Sequence, residues 1–256
     1  MFTWLKFGLV VAGVSLVGAS CSSPLGRTGV VPPPVAPQAQ GSPTIAPPQL
    51  PKAVPLAPPP VATVPTPAHA ITVLPVPFTP QAPLAKWSEP YQDACEEASM
   101  LIAAEYFKGN KQLQLNPTYA DKEILKLVAW EGEHDYATDV TAAEVVSILA
   151  DYYHLQAQVV PFEASALRQA LLVHKVVIVP AAGRSLGNPY FTAPGPLYHM
   201  LVVNGFAGTE FITNDPGTKR GENYRYNEGV LAGAAHDWNG GDVTHGQPLM
   251  VVVGGS

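Results

Sequence analysis

The sequence predicts an α+β domain in residues 71–256, with a helical N-terminal half packed on a largely antiparallel sheet. Two patterns predict this class. Segments of helical periodicity are concentrated in the first half, near residues 95–108, 121–131, 141–153 and 164–174. Strand-like apolar runs are concentrated in the second half, near residues 157–161, 176–180, 198–205, 210–215 and 248–253. About 186 residues are enough to bury one substantial core.

The first 20 residues have the pattern of an export signal. Lys6 precedes the apolar run FGLVVAGVSLVGA, which is shorter than a typical transmembrane helix. Small residues at 18–20 then precede Cys21. This arrangement is similar to a bacterial lipoprotein signal, in which the cysteine is lipidated. Simple cleavage after Ser20 and an uncleaved anchor are the alternatives, and all three predict a location outside the cytoplasm.

Residues 22–70 predict a tether without a core of its own. They contain 15 of the 28 prolines of the chain and two charged side chains, Arg27 and Lys52. Proline has no backbone donor and favours extended polyproline II structure. We therefore expect a semi-rigid spacer that joins the membrane anchor to the domain that begins at residue 71.

The charge of the domain argues against one class of partner. Residues 71–256 carry 11 of the 14 Lys and Arg residues and all 20 acidic residues of the chain. Nucleic-acid binding requires a basic surface, so we expect no nucleic-acid partner. No phosphate-binding glycine motif is present, and the loop HDWNGGDVTH has no metal-ligand spacing. The sequence therefore predicts no cofactor and no metal, and we expect a monomer.

The segment YQDACEEASM contains the one cysteine of the domain, Cys95. An exported protein usually pairs its cysteines, so a thiol without a partner indicates a reactive group or an intermolecular bond; a buried apolar residue is the alternative. Good helix formers follow Cys95, which places it at a helix N-terminus, where the helix dipole favours a thiolate. The charges of Glu96 and Glu97 partly oppose that effect.

A thiolate needs a base, and His199 is the strongest candidate among the six histidines of the domain. It alone lies in a strand-like run, YHMLVVNGF, which a turn near Ala207 connects to the run EFITND. If the turn centres on Ala207, His199 lies directly opposite Asp215, with Cβ atoms roughly 5 Å apart. A turn shifted by one residue makes the two diagonal neighbours. The loop 183–197, which leads into His199, is placed to line or cover a substrate cleft.

Four stretches in this order resemble the peptidase C39-like group of the papain-like cysteine peptidase superfamily. They are VPFTPQAP (75–82), similar to the opening strand of the family, DACEEAS (93–99), similar to its nucleophile helix, PGPLYHMLVVNGF (194–206), similar to its histidine strand, and FITNDPGTKRGENYRY (211–226), similar to its aspartate segment. In the family the cysteine is frequently followed by Gly-Pro, whereas Glu96 and Glu97 follow it here. The resemblance implies a papain-like architecture in which the cysteine helix packs on the sheet.

The resemblance also implies a role for each site residue. Cys95 is the expected nucleophile, His199 the general base and acid, and Asp215 the residue that orients the imidazole. Gln81 is the expected oxyanion donor together with the backbone N–H of Cys95, and Gln92 is a competing donor.

The sequence thus predicts a membrane-tethered, extracytoplasmic thiol hydrolase that acts on a peptide or protein substrate. Two alternatives remain open at this point. A transglutaminase-like acyl transferase uses Cys, His and Asp in the same order, although its histidine is usually nearer the cysteine. A binding module for peptides or cell-wall components, with the same fold and no catalysis, is the other.

Overall fold

The computed structural model describes residues 71–255. The expected signal peptide, the lipidation site Cys21 and the tether 22–70 lie outside the described residues. Five α-helices are present in the described part: α1 (Cys95–Phe107), α2 (Pro117–Glu133), α3 (Ala142–Asp151), α4 (Ala164–Leu172) and α5 (Glu228–Ala234). Seven strands accompany them: β1 (Ile71–Val73), β2 (Gln156–Pro161), β3 (Val176–Ala182), β4 (Tyr198–Ala207), β5 (Glu210–Asn214), β6 (Tyr224–Asn227) and β7 (Leu249–Gly254).

The strands form one sheet in the order β2-β7-β3-β4-β5-β6, and β1 pairs with one end of β4. Every pair is antiparallel. Because three of the five helices precede β2 along the chain, the predicted α+β class with a helical N-terminal half is confirmed. Strand β4 lies near the centre of the sheet, so its residues are buried almost throughout.

Local sequence explains where the helices begin. The side chain of Asn116 accepts a hydrogen bond from the N–H of Tyr119, and Pro117 is the first residue of α2. Thr141 and Glu144 form a reciprocal capping box at α3. By contrast, α1 begins at Cys95 with no side-chain cap. The free N–H groups of its first turn are therefore available to other acceptors.

One expected strand is not formed, and three short elements were not predicted. The segment 75–82 was expected to be an opening strand, but it makes only an isolated bridge between Phe78 and Gln114. Its prolines cannot donate hydrogen bonds to a neighbouring strand, which prevents a continuous ladder. Strands β1 and β6 and helix α5 have three, four and seven residues, too few to show a clear period in the sequence.

A β-bulge at Asn204 changes the register of the β4–β5 hairpin. Gly205 pairs with Ile212 but Val203 pairs with Thr213, so β4 has one more residue than β5 between these pairs. Side chains alternate across a strand, so the extra residue exchanges the faces of everything beyond it. Without the bulge, His199 and Asp215 would point to opposite faces of the hairpin; with it, they are diagonal neighbours on one face. The predicted direct pairing of the two residues is therefore wrong, and the diagonal arrangement is found.

Helix α1 crosses the sheet at β4 and is buried on all sides from Cys95 to Glu105. Met100, Ile102 and Ala103 of α1 join the main core with β3, β4 and β7, whereas Ala98 and Leu101 pack in a smaller core with α2. The same burial takes three carboxylates of α1 out of water: Glu96, Glu97 and Glu105 are each less than a tenth exposed. None of the helices in the part of the chain described here has both the length and the apolar composition needed to span a bilayer.

Candidate active site

Cys95 and His199 lie on two elements that pack against each other, helix α1 and strand β4. Cys95 is the first residue of α1, and α1 packs directly on β4, which carries His199. The hydroxyl of Ser99 donates a hydrogen bond of 3.1 Å to the carbonyl of Met200. This bond joins the helix to the strand one residue beyond His199, so the relative placement of the two elements is fixed near the site.

His199 and Asp215 form a buried hydrogen-bonded pair. The His199 Nε2 to Asp215 Oδ1 distance is 2.8 Å, and the two side chains are 1% and 0% exposed. An ionised carboxylate accepts hydrogen bonds only, so Nε2 carries the proton and donates it. In the neutral imidazole the lone pair is then on Nδ1, which is the nitrogen left to act as a base.

Three further donors hold the Asp215 carboxylate. The backbone N–H of Gly217 donates to Oδ1 at 2.9 Å, and Oδ2 accepts from the Tyr226 hydroxyl at 2.6 Å and from the Asn188 amide at 3.1 Å. Burial alone would raise the pKa of Asp215, but His199, Tyr226 and the N–H of Gly217 outweigh it and hold the pKa below its ordinary value. Sequence reasoning assigned no role to Tyr226 or Asn188, although Tyr226 ends the stretch 211–226 that resembles the aspartate segment of the family.

Cys95 and His199 open onto the same cleft of about 600 Å³. The loop 183–197 contributes Phe191, Thr192 and residues 195–197 to the wall, as its position in the sequence predicted. Gly217 lies against the imidazole: a Cβ atom at this position would be 2.8 Å from Cε1 of His199. The absence of a side chain at 217 therefore leaves the space that the ring occupies.

The sequence decides the family of this domain. The family model of the Peptidase_C39 like family matches residues 73–240. The chain belongs to this family. Membership supports a cysteine peptidase-like function in general, and it confirms the resemblance from which the residue roles were predicted.

A crystal structure from Bacillus anthracis, assigned as a C39-like peptidase, resembles this chain. The two are 14% identical, the alignment covers 73% of this chain and 99% of the other, and the TM-score is 0.48. No protein of curated function matches the sequence significantly.

In this C39-like domain Gln81 lines the cleft but its donors are engaged. Its Nε2 donates to the carbonyls of Tyr91 and Gln92, both at 2.9 Å. Gln81 thereby fixes the segment that leads into Cys95. One of these two hydrogen bonds must break before Nε2 can donate to an oxyanion. Gln92 also lines the cleft, with its side chain exposed. The oxyanion role of Gln81, and the competing role of Gln92, stay predictions.

The thiol of Cys95 is hydrogen-bonded to its neighbour in the chain. Its Sγ lies 2.8 Å from Oε2 of Glu96, to which it donates. Burial, followed by the charges of Glu96 and Glu97, raises the pKa of Cys95 well above its ordinary value. The expectation that the helix dipole makes Cys95 a thiolate is therefore not met in this arrangement, because burial and the adjacent acid outweigh the dipole.

Two further buried acids, Glu97 and Glu131, also have raised pKa values. Burial raises the pKa of Glu97 to about 7, and burial together with the charge of Glu97 raises that of Glu131 to about 10. One carboxylate oxygen each of Glu96, Glu97 and Glu131 is buried without a hydrogen-bond partner. Glu96 and Glu97 do lie in the first turn of α1, and both are buried there.

No group of three or more His, Cys, Asp or Glu side chains within residues 71–255 is arranged to hold a metal ion. His236 and His245, the two histidines of the segment HDWNGGDVTH, lie in the loop and short 3₁₀ turn after α5, and they do not line the cleft.

Proposed function

We propose that this protein is a thiol hydrolase that cleaves peptide or amide bonds with Cys95, His199 and Asp215. The observation that carries the proposal is the 2.8 Å bond between His199 and Asp215, on a cleft that Cys95 also lines. A cysteine at a helix N-terminus, a histidine and an orienting carboxylate are the groups that nucleophilic acyl transfer requires.

Each of the three residues has one role in the proton transfers. Asp215 accepts from Nε2 of His199, which leaves Nδ1 free to take the proton of the Cys95 thiol. The sulfur attacks the carbonyl carbon, and the imidazolium returns its proton to the leaving amine. Water then hydrolyses the thioester, with His199 again acting as the base. The low pKa of Asp215 keeps its charge in place opposite the imidazolium throughout.

The thiol must leave Glu96 before it can be deprotonated by His199. Rotation of the Cys95 side chain breaks a single hydrogen bond to Glu96, and catalytic contacts commonly tighten only when substrate is bound. The oxyanion formed by attack then meets the backbone N–H of Cys95, which has no partner within the helix. Gln81 supplies a second donor if one of its bonds to the segment 91–92 is released.

The location outside the cytoplasm and the membrane tether are part of this proposal. Their support is the apolar segment before Cys21 and the proline-rich composition of residues 22–70. Metabolic labelling with a radioactive fatty acid tests them: label that is lost in Cys21→Ala supports lipidation, and an unlabelled, released protein contradicts it.

The activity is tested with the full chain and a mixture of synthetic peptides, with products identified by mass spectrometry. We expect cleavage products in the wild type, none in Cys95→Ala, and a loss of at least a hundredfold in His199→Ala. His245→Ala is the matched control, because His245 is exposed and its ring binds only Asp242. Cleavage that survives in Cys95→Ala contradicts the proposal. If the acyl products are joined to an added amine instead of being hydrolysed, the protein is an acyl transferase.

A binding module is the second candidate, and one observation favours it. The buried thiol of Cys95 donates to Glu96, and its raised pKa opposes a thiolate at neutral pH. This candidate predicts that peptides bind without being cleaved and that His199→Ala leaves their affinity unchanged. Binding measured by calorimetry beside the cleavage assay separates the two functions.

A further inference from the structure

We infer that Asp93 and Asp139 form a subsite in the cleft that accepts a cationic group of the substrate, a lysine, an arginine or a free amino terminus. This inference rests on the proposed function, because the substrate in question is the peptide that the proposed hydrolase cleaves. It assigns to the cleft a preference for peptides that carry an ammonium or guanidinium group close to the scissile carbonyl.

The two carboxylates are half-buried and carry charge that nothing in the described structure neutralises. Both line the cleft together with Cys95 and His199. Among residues 71–255, no Lys, Arg or His side chain forms an ion pair with either of them. Half-buried carboxylates without a cation are costly, since desolvation and mutual repulsion both oppose their charge.

The charge of Asp93 acts on two neighbouring carboxyl groups. Burial, and then the charge of Asp93, raises the pKa of Asp139. The charge of Asp93 also raises the pKa of Glu89. A bound cation would relieve this repulsion, so the site gains more from a positive ligand than an isolated surface acid does.

An independent acceptor lies in the wall of the same cleft. Gln81 is 5% exposed and lines the cleft, and its Oε1 is buried with no hydrogen-bond partner. The orientation of this amide is settled by its Nε2, which donates to two backbone carbonyls. A donor that a ligand brings into the cleft would satisfy this acceptor. Ammonium and guanidinium groups are donors without acceptors, so they satisfy Gln81, Asp93 and Asp139 alike.

Aromatic side chains and the distribution of basic residues fit the same ligand. Trp87 and Trp238 line the cleft, and indole faces attract cations. The wall of the cleft contains no Lys or Arg, whereas Lys219 and Arg220 line an adjoining cavity of about 410 Å³. The basic groups of the domain therefore do not occupy the position that Asp93 and Asp139 leave open.

The first test compares cleavage of matched peptides by the full chain. Each pair differs at one position near the scissile bond, lysine against the isosteric norleucine. We expect kcat/KM to be about tenfold higher for the lysine peptide in the wild type and equal for both in the double variant Asp93→Asn/Asp139→Asn. The exposed Asp151, at the far end of α3, gives the matched control Asp151→Asn. A wild type without preference, or a preference that survives in the double variant, overturns the inference.

The second test needs no turnover and therefore separates the subsite from the hydrolase. Cys95 is modified with two methanethiosulfonates of similar size, the cationic trimethylammonium ethyl reagent and the anionic sulfonatoethyl reagent, and the label is mapped by mass spectrometry. We expect the cationic reagent to react about tenfold faster, and the ratio to fall towards one in the double variant. If no peptide is cleaved but this ratio holds, the hydrolase fails and the cation subsite stands. A ratio that the double variant leaves unchanged overturns the subsite.

Discussion

Replacement of Glu97 by glutamine should stabilise the protein at high pH and leave its stability near pH 4.5 unchanged. Burial raises the pKa of Glu97 to about 7 from an ordinary value of 4.5. The folded state therefore binds this proton more tightly than the unfolded state, and stability falls as the pH rises from about 4.5 to about 7. A difference of about 2.5 between the two pKa values corresponds to about 3 kcal/mol. Glutamine is neutral at every pH and does not carry this loss.

Glu131 extends the same effect to higher pH. Its pKa of about 10 is raised by burial and by the charge of Glu97, so the two carboxyls share a proton between pH 7 and 10. The ordinary pattern of acid denaturation is thus reversed for this pair of residues. We expect the free energy of unfolding of the wild type to be larger near pH 5 than near pH 8.

The assay is urea unfolding at 25 °C of the full chain and of Glu97→Gln, at about pH 4.5, 6 and 8. The variant should be as stable as the wild type at the lowest pH and more stable by about 2–3 kcal/mol at the highest. Glu133→Gln is the matched control, because Glu133 is an exposed acid two residues from Glu131. A wild type whose stability rises from pH 5 to pH 8, or a variant whose gain is the same at every pH, would refute the reasoning.

Two further substitutions and one deletion probe the geometry around the imidazole. In Tyr226→Phe, Asp215 loses its donor at 2.6 Å, so its pKa should rise and the acid limb of the pH–rate profile should move to higher pH; an unmoved limb would contradict this. Deletion of Asn204 removes the β-bulge and returns His199 and Asp215 to opposite faces, so peptide cleavage should be lost while circular dichroism still reports a folded sheet; retained activity would show that the bulge does not set the site. In Gly217→Ala, the new Cβ would clash with the His199 ring, so the ring should be displaced and kcat/KM should fall by about a hundredfold. A crystal structure of this variant with the ring in its original place would contradict that explanation.

The positions of the proposed site residues could be predicted from the sequence, because each residue had its own local signal. Cys95 was the lone thiol before a helical run, and it does begin α1. His199 lay in a strand-like run followed by a turn, and Asp215 at the end of the next run. These patterns depend on chemistry within about ten residues, which a sequence displays directly.

The register of the hairpin and the protonation of the acids were not readable. Nothing in the run YHMLVVNGF specifies the bulge at Asn204, which lies where β4 pairs with β1 along one edge and with β5 along the other. Glu96 and Glu97 have the pattern of a solvated first turn, and they are buried only because α1 is enclosed by elements distant in sequence. Tertiary packing therefore decided both features, and with them the charge around Cys95.

The most direct test of the proposed catalytic arrangement is the rate at which iodoacetamide alkylates Cys95 in the full chain, measured from about pH 6 to pH 9 in the wild type and in His199→Ala, with the label mapped to Cys95. If His199 takes the thiol proton, the wild type should react about tenfold faster or more near neutral pH, and the difference should vanish when both proteins are unfolded. Equal rates in the two folded proteins at every pH would mean that His199 does not act on Cys95, and the domain would then be a binding module.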